Sequence, residues 1–153
     1  MQIQRIDTST LYLVETLFDK YRVFYQQPSD VTLARQFLQQ RLSNNESVIF
    51  AAADNQNGET IPAGFTQLYP LYSSVRTQKN WILNDLYVEA NYRKQGIGRK
   101  LIEAAMHFAK GEGATYIQLE TMPDNTNAQR LYESIGFEQY NPFEGELVYK
   151  IGL

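Results

Sequence analysis

Apolar positions along this chain switch repeatedly between helical and strand spacing, and each switch marks an element. Residues 2–6 alternate enough for a short strand, and the "TST" that follows offers hydroxyl caps to a helix carrying Leu11, Val14, Leu17, Phe18 and Tyr21 on one face. "QQPSD" interrupts that helix, and a second follows with Leu33, Ala34, Phe37, Leu38 and Leu42 as its apolar stripe. "SVIFAAA" (47–53) and "IPAGFTQLYPLY" flank the turn-rich "DNQNGE", which predicts a hairpin, and "WILNDLYV" (81–88) predicts a third strand closed by the polar loop "EANYR". From Gly96 the period becomes helical again, with Ile97, Leu101, Ala105 and Phe108 on one face and the glycines of "GEG" at the end. "TYIQLETM" (115–122) predicts another strand. A helix from about Asn125 to Ile135 comes next, capped by Asp124 or Asn125 and closed by Gly136. Phe137 to Tyr140 and Leu147 to Ile151 are expected to finish as short strands. The order β-α-α-β-β-β-α-β-α-β-β, with no linker, repeat or low-complexity tract, predicts one mixed α/β domain over residues 1–153.

Composition narrows what such a domain can do. At 153 residues with 43% hydrophobic content, the chain can bury roughly 70% of its unfolded surface. Fourteen Lys and Arg against 17 Asp and Glu leave a formal net charge of −3, which opposes general attraction to nucleic acid or to anionic membranes. The basic run at 93–100 is therefore a local feature. The absence of cysteine excludes disulfides, thiolate metal sites and a cysteine nucleophile, and suits a reducing compartment. "MQIQRIDTST" lacks the apolar stretch of a secretion signal, and nowhere do 18 apolar residues run together. A cytoplasmic protein is expected, with neither nucleic acid nor membrane as partner. His107, the single histidine, falls off the apolar stripe of its helix and has no companions for a metal set, so no metal is expected.

The stretch "YRKQGIGRKLI" (92–102) is where chemistry first shows. A strand, a glycine turn with basic flanks and a helix start make an anion site, because first-turn N–H groups lack helical partners, the helix dipole is positive there, and glycine lets a ligand reach the backbone. The plainer reading is a shaped turn beside a solvated basic face. A phosphate-binding P-loop needs a Gly-Lys pair, and none occurs. A dinucleotide fingerprint needs a third glycine where Leu101 stands, although Glu120 lies at the right remove to imitate its ribose-binding acid.

Two longer segments carry a resemblance. "LNDLYVEANYRKQGIGRKLIEAA" resembles the cofactor-binding motif of the GNAT acyltransferase superfamily, through Arg93, Gly96 and Gly98. "DNTNAQRLYESIGF" resembles the second GNAT motif, through Asn125, Ala128, Leu131, Tyr132, Gly136 and Phe137. Together they cover residues 83–137, and the β-α-α-β-β start matches the family's element order.

The resemblance implies a mostly antiparallel mixed sheet with about four helices, splayed between two parallel strands, 81–88 and 115–122. It implies acetyl-CoA in that wedge, with the backbone of Gln95, Gly96, Ile97, Gly98 and Arg99 around the pyrophosphate and Arg93, Lys94 and Lys100 at its rim. The edge at Leu86, Tyr87 and Val88 would pair with the pantetheine arm, and the Val88 N–H would hold the thioester oxygen. An amine would attack the thioester through a tetrahedral intermediate, and Tyr132 would protonate the departing sulfur. A phenol suits that task, being protonated at neutral pH yet near enough to a thiol to share its proton. Tyr132 also fits a packing role on its helix, and Asn125 reads as a helix cap alone or as a cap that also meets the cofactor.

Asp85 and Glu120 are acids in strands expected to be buried. Each reads either as the base that relieves the attacking ammonium of its proton or as a group bonded to nearby backbone. The family's acceptor pocket borders the helix pair, which nominates Tyr21, Arg22, Tyr25, Asp30, Tyr69 and Tyr72, with ordinary helix packing as the alternative. The leading expectation is N-acetylation of a small-molecule amine or amino acid; a silent CoA-binding sensor is the other reading, and a homodimer is compatible with either.

Overall fold

The computed structural model describes residues 1–140, 145 and 147–153. Contacts divide the chain into two compact units, Met1–Glu120 and Thr121–Leu153. The first unit holds strand β1 (Gln2–Arg5), helices α1 (Glu15–Phe24) and α2 (Val31–Ser43), strands β2 (Val48–Gln56), β3 (Glu59–Ser73) and β4 (Gln78–Val88), helix α3 (Ile97–Gly111) and strand β5 (Ile117–Leu119). These strands form one five-stranded sheet in the order β1-β2-β3-β4-β5. Every neighbouring pair is antiparallel except β4 and β5.

The approach to α1 differs from expectation. Asp7, rather than the hydroxyls of "TST", accepts the N–H groups of Ser9 (2.8 Å) and Thr10 (3.1 Å). A short carboxylate bonding two and three residues ahead makes an Asx turn. A single 3-10 turn at Leu11–Leu13 then leads into α1. The next helix starts as its sequence suggests, with Asp30 accepting the Leu33 N–H at 3.0 Å to cap α2.

Alternation sorts side chains to the two faces of the sheet. Ile49, Ala51 and Phe65 pack under α1 and α2 with Val14, Leu17, Phe18, Ala34 and Leu38. Ala52 and Ala63 face the other way, onto Ile97 and Leu101 of α3, joined by Phe50, Leu86 and Val88. The result is a layer of two helices, the sheet, and α3 behind it.

The end of β4 is where this frame opens. β5 pairs with β4 only from Trp81↔Ile117 to Leu83↔Leu119, far less than the expected 115–122. Beyond Leu83 the strand runs on through Asn84–Val88 with no ladder partner on that edge among the described residues. The register to β3 also slips there, because Gln67 pairs with Asp85 and Leu68 with Leu83, leaving Asn84 as an extra, bulged residue. A bulge twists its strand and re-aims the side chains that follow.

In the second unit, helix α4 (Thr126–Ile135) is capped by Asn125, which accepts the Ala128 N–H at 3.3 Å, and Gly136 closes it in the left-handed conformation. No described residue beyond Ile135 lies in a strand, so the two short strands expected at 137–140 and 147–151 do not form among them. Leu147, Tyr149 and Ile151 are exposed. Their alternation marks side chains suited to burial, but a strand needs a partner edge as well as a pattern. Among the described residues, no helix is long and apolar enough to cross a membrane.

Candidate active site on both sides of strand β4

The glycine turn comes directly after β4. Glu89 leads into a 3-10 turn at Ala90–Tyr92, Lys94 takes a positive φ of 61°, and Gly96 stands at the start of α3 with φ 78° and ψ 7°. Gly96 is therefore fixed by its left-handed backbone rather than by crowding, since an added Cβ would meet nothing within 4 Å. Among the described residues, no side chain caps α3. The main-chain N–H groups of Gln95, Gly96, Ile97 and Gly98 have no hydrogen-bond acceptor among the described residues. Consecutive free donors at the positive end of a 15-residue helix, with Lys94 and Lys100 exposed beside them, are the chemistry of a diphosphate cradle.

Arg93 does something more specific than line the rim. Its Nε donates to the Val88 carbonyl at 2.9 Å, and its guanidinium lies 5.8 Å from the Tyr87 ring centre. It thereby ties the loop back to the open end of the strand. The Glu89 N–H bonds to Ala63 on β3 at 2.9 Å. Strand alternation then turns the N–H and carbonyl of Val88 to the opposite, unpaired edge. Gly64 lets the backbones of β3 and β4 come this close, because a Cβ there would stand 2.7 Å from the Tyr87 carbonyl oxygen.

On the face of β4 toward α1 and α2 lies a cavity of about 440 Å³ lined by Phe18, Tyr21, Arg22, Leu33, Ala34, Phe37, Tyr69, Asn84 and Asp85. Asp85 is 3% exposed. Its Oδ2 accepts from Nε2 of the fully buried Gln67, and its Oδ1 from Asn84 Nδ2 at 2.9 Å. The Tyr21 hydroxyl, 3.5 Å from the Asn84 carbonyl, also turns toward this carboxylate. Burial pushes the Asp85 carboxyl above the usual carboxylate range, and the bonds from Gln67, Asn84 and Tyr21 oppose that shift without cancelling it. Burial first, and the Asp85 charge second, raises the Tyr21 and Tyr69 phenols, so both remain protonated donors at neutral pH. A buried carboxylate with its pKa raised by burial is suited to take a proton from an ammonium brought next to it.

The expected site residues do not all converge. Tyr21, Arg22, Tyr69 and Asp85 do. Asp30 is committed to capping α2, Tyr72 is 69% exposed beneath Lys79, and Tyr25 packs edge-on against Tyr21 at 5.0 Å without lining the cavity. Glu120 is not the buried strand acid its sequence context suggested, because β5 ends at Leu119 and leaves it exposed. In the second unit, Tyr132 is half-buried, with its ring 6.1 Å from that of Phe137. Phe18, Leu33, Phe37 and Asn84 were missed. Three of these sit in helical stripes that read as core, whereas Gln67, a polar residue inside the apolar run "GFTQLY", was a readable sign of a buried partner.

Comparison with known proteins bears on this arrangement. A family described as Acetyltransferase (GNAT) family matches residues 12–137. The chain is 44% identical to a Bacillus subtilis protein described as the uncharacterized N-acetyltransferase YhfO, over 94% of this chain and 93% of that one. A crystal structure described as a probable acetyltransferase superposes with a TM-score of 0.87 at 37% identity, over 100% of this chain and 98% of the other. Thialysine N-epsilon-acetyltransferase of Mus musculus is 31% identical over 64% of this chain and 57% of its own length.

Proposed function

Since the chain belongs to the Acetyltransferase (GNAT) family and is an acyltransferase, we propose that it moves an acetyl group from acetyl-CoA directly to the amine of a small molecule. The observation that carries this reading is the run of four main-chain donors, Gln95 to Gly98, beside the unpaired end of β4. We read residues 1–153 as one such catalytic domain, since the family match crosses from the first unit into the second.

Bound acetyl-CoA would supply a thioester open to attack by a neutral amine, with the CoA thiol as leaving group. The chain's residues divide the remaining work. Gln95 to Gly98 hold the two phosphates through N–H groups, and Lys94, Arg99 and Lys100 add positive charge around them. The edge at Leu86, Tyr87 and Val88 offers main-chain groups to the amides of the pantetheine arm, and the Val88 N–H steadies negative charge on the acyl oxygen. Arg93 keeps that edge registered with the loop. Asp85 takes one proton from the incoming ammonium, and Tyr132 delivers one to the sulfur. Asn125 orders the start of the helix that carries Tyr132. A relative named for acetylating the ε-nitrogen of thialysine supports a small-molecule amine as acceptor.

Thermal-shift measurements with acetyl-CoA, NAD and ATP test the cofactor, since a ligand at 100 times its Kd adds about 2.7 kcal/mol. Stabilisation by acetyl-CoA alone is expected, and stabilisation by NAD alone would remove the reading. Binding of CoA without acetylated product from any amine would leave a binding domain instead of an enzyme.

A further inference from the structure

The cavity around Asp85 joins one buried acid to a mainly aromatic and apolar lining. The buried Asp85 carboxylate and the part-buried Tyr21 and Tyr69 phenols share the lining with the apolar Phe18, Ala34, Phe37 and Leu33. Phe18 and Phe37 stack with centres 5.8 Å apart and planes 22° from parallel, and Leu33 and Phe37 reach the surface at 48% and 37% exposure. Arg22 and Asp85 are the charged residues in the lining. The Arg22 charge is already answered, because its Nη1 lies 3.6 Å from Asp19 and 3.4 Å from the Pro28 carbonyl. Asp19 in turn is consumed by the Ser29 hydroxyl (2.6 Å) and the Asp30 N–H (2.7 Å), which hold its carboxyl below the usual range and fix the turn between α1 and α2. One unbalanced acid therefore remains in the lining, the buried Asp85.

Resting on the acetyl-transfer reading above, we propose that the acceptor is a monoamine with a flat apolar body, of the arylalkylamine class. Its ammonium sits on Asp85 beneath the faces of Tyr21 and Tyr69, and its ring lies along Phe18 and Phe37. A polyamine or a diamino acid would bring a second ammonium into the ring-lined cavity, where no second anion meets it. A polyhydroxylated amino sugar would set hydroxyls against Phe18, Phe37 and Leu33 and lose its bonds to water. In the transfer the N–C bond forms as the C–S bond breaks. One ammonium proton goes to Asp85 and another to the sulfur, so one proton is released overall.

The test is kcat/KM with acetyl-CoA for phenethylamine and 4-phenylbutylamine against spermidine, thialysine and kanamycin. We expect both arylalkylamines to exceed every polycation at least tenfold. A polycation that matches or exceeds them overturns the acceptor class while leaving acetyl transfer intact. No acetylation of any compound overturns the acetyl-transfer reading, and the acceptor class with it. In Phe37→Ala, the ratio of kcat/KM for phenethylamine to that for ethylamine should fall about tenfold. An unchanged ratio in the folded variant contradicts the ring-binding wall.

Discussion

The glycine turn and the Asp85 cavity both depend on β4, yet they are made of different material. The turn presents main chain from four consecutive residues, and its flanking side chains are exposed. The cavity gathers side chains from α1, α2, β3 and β4 around one buried acid. A site made of backbone is specified by where glycine stands and where a helix begins; a site made of side chains is specified by how distant elements pack. Deleting a side chain should therefore be severe in the cavity and mild at the turn, and covering the backbone should be severe only at the turn.

The largest effect is expected from Asp85→Asn, which removes the proposed base, keeps one acceptor oxygen for the donors Gln67 and Asn84, and leaves its new NH2 to be met by the otherwise unpartnered Oε1 of Gln67. Steady-state kinetics should show kcat/KM lower by about 10²- to 10⁴-fold, with CoA affinity by calorimetry little changed. An undiminished rate would show that the cavity does not supply the base. Because the Asp85 carboxyl is raised, the acid limb of the kcat/KM profile should fall above the ordinary carboxylate range and vanish in this variant. Stability carries the matching sign. A raised carboxyl stabilises the fold fully below its unfolded pKa, and that contribution is lost as pH climbs through the folded value. Asp85→Asn should thus gain in Tm relative to the parent chain as pH rises above the ordinary carboxylate value of about 4.

Tyr132→Phe should lower turnover about ten- to a hundredfold at saturating acetyl-CoA, less than loss of the base because a thiolate is already a good leaving group. An unchanged turnover number would assign Tyr132 to packing with Phe137. Gly98→Val should weaken CoA about tenfold in calorimetry by placing a branched side chain over the first-turn donors, while kcat at saturation holds. Full affinity would place the phosphates elsewhere. The smallest effect is expected at Lys94→Ala, about a two- to threefold weakening that fades with added salt, as for any exposed cation. A loss larger than that of Gly98→Val would mean that the turn works through side chains after all.

The same division explains what was legible in the sequence. Gly96, Gly98, Asn125 and Gly136 could be read directly, because a left-handed residue, a helix start and a cap are local events a few residues long. The acid at Asp85 was readable as a charge in an apolar strand. Its partners were harder: Phe18 and Phe37 belong to stripes that look like core, and only the packing of α1 and α2 together on one face of the sheet turns them into a cavity wall. The bulge at Asn84 has no marker in "WILNDLYV". Glu120 and the short β5 were misjudged because strand length is set by the partner, and β4 diverges after Leu83.

Amide hydrogen exchange resolved to single residues, with and without saturating acetyl-CoA, tests the central claim most directly. The N–H groups of Gln95, Gly96, Ile97 and Gly98 should exchange markedly more slowly in the complex, together with that of Val88. Unaltered exchange at those five positions, with protection appearing elsewhere in the chain, would contradict the assignment of the glycine turn as the diphosphate cradle.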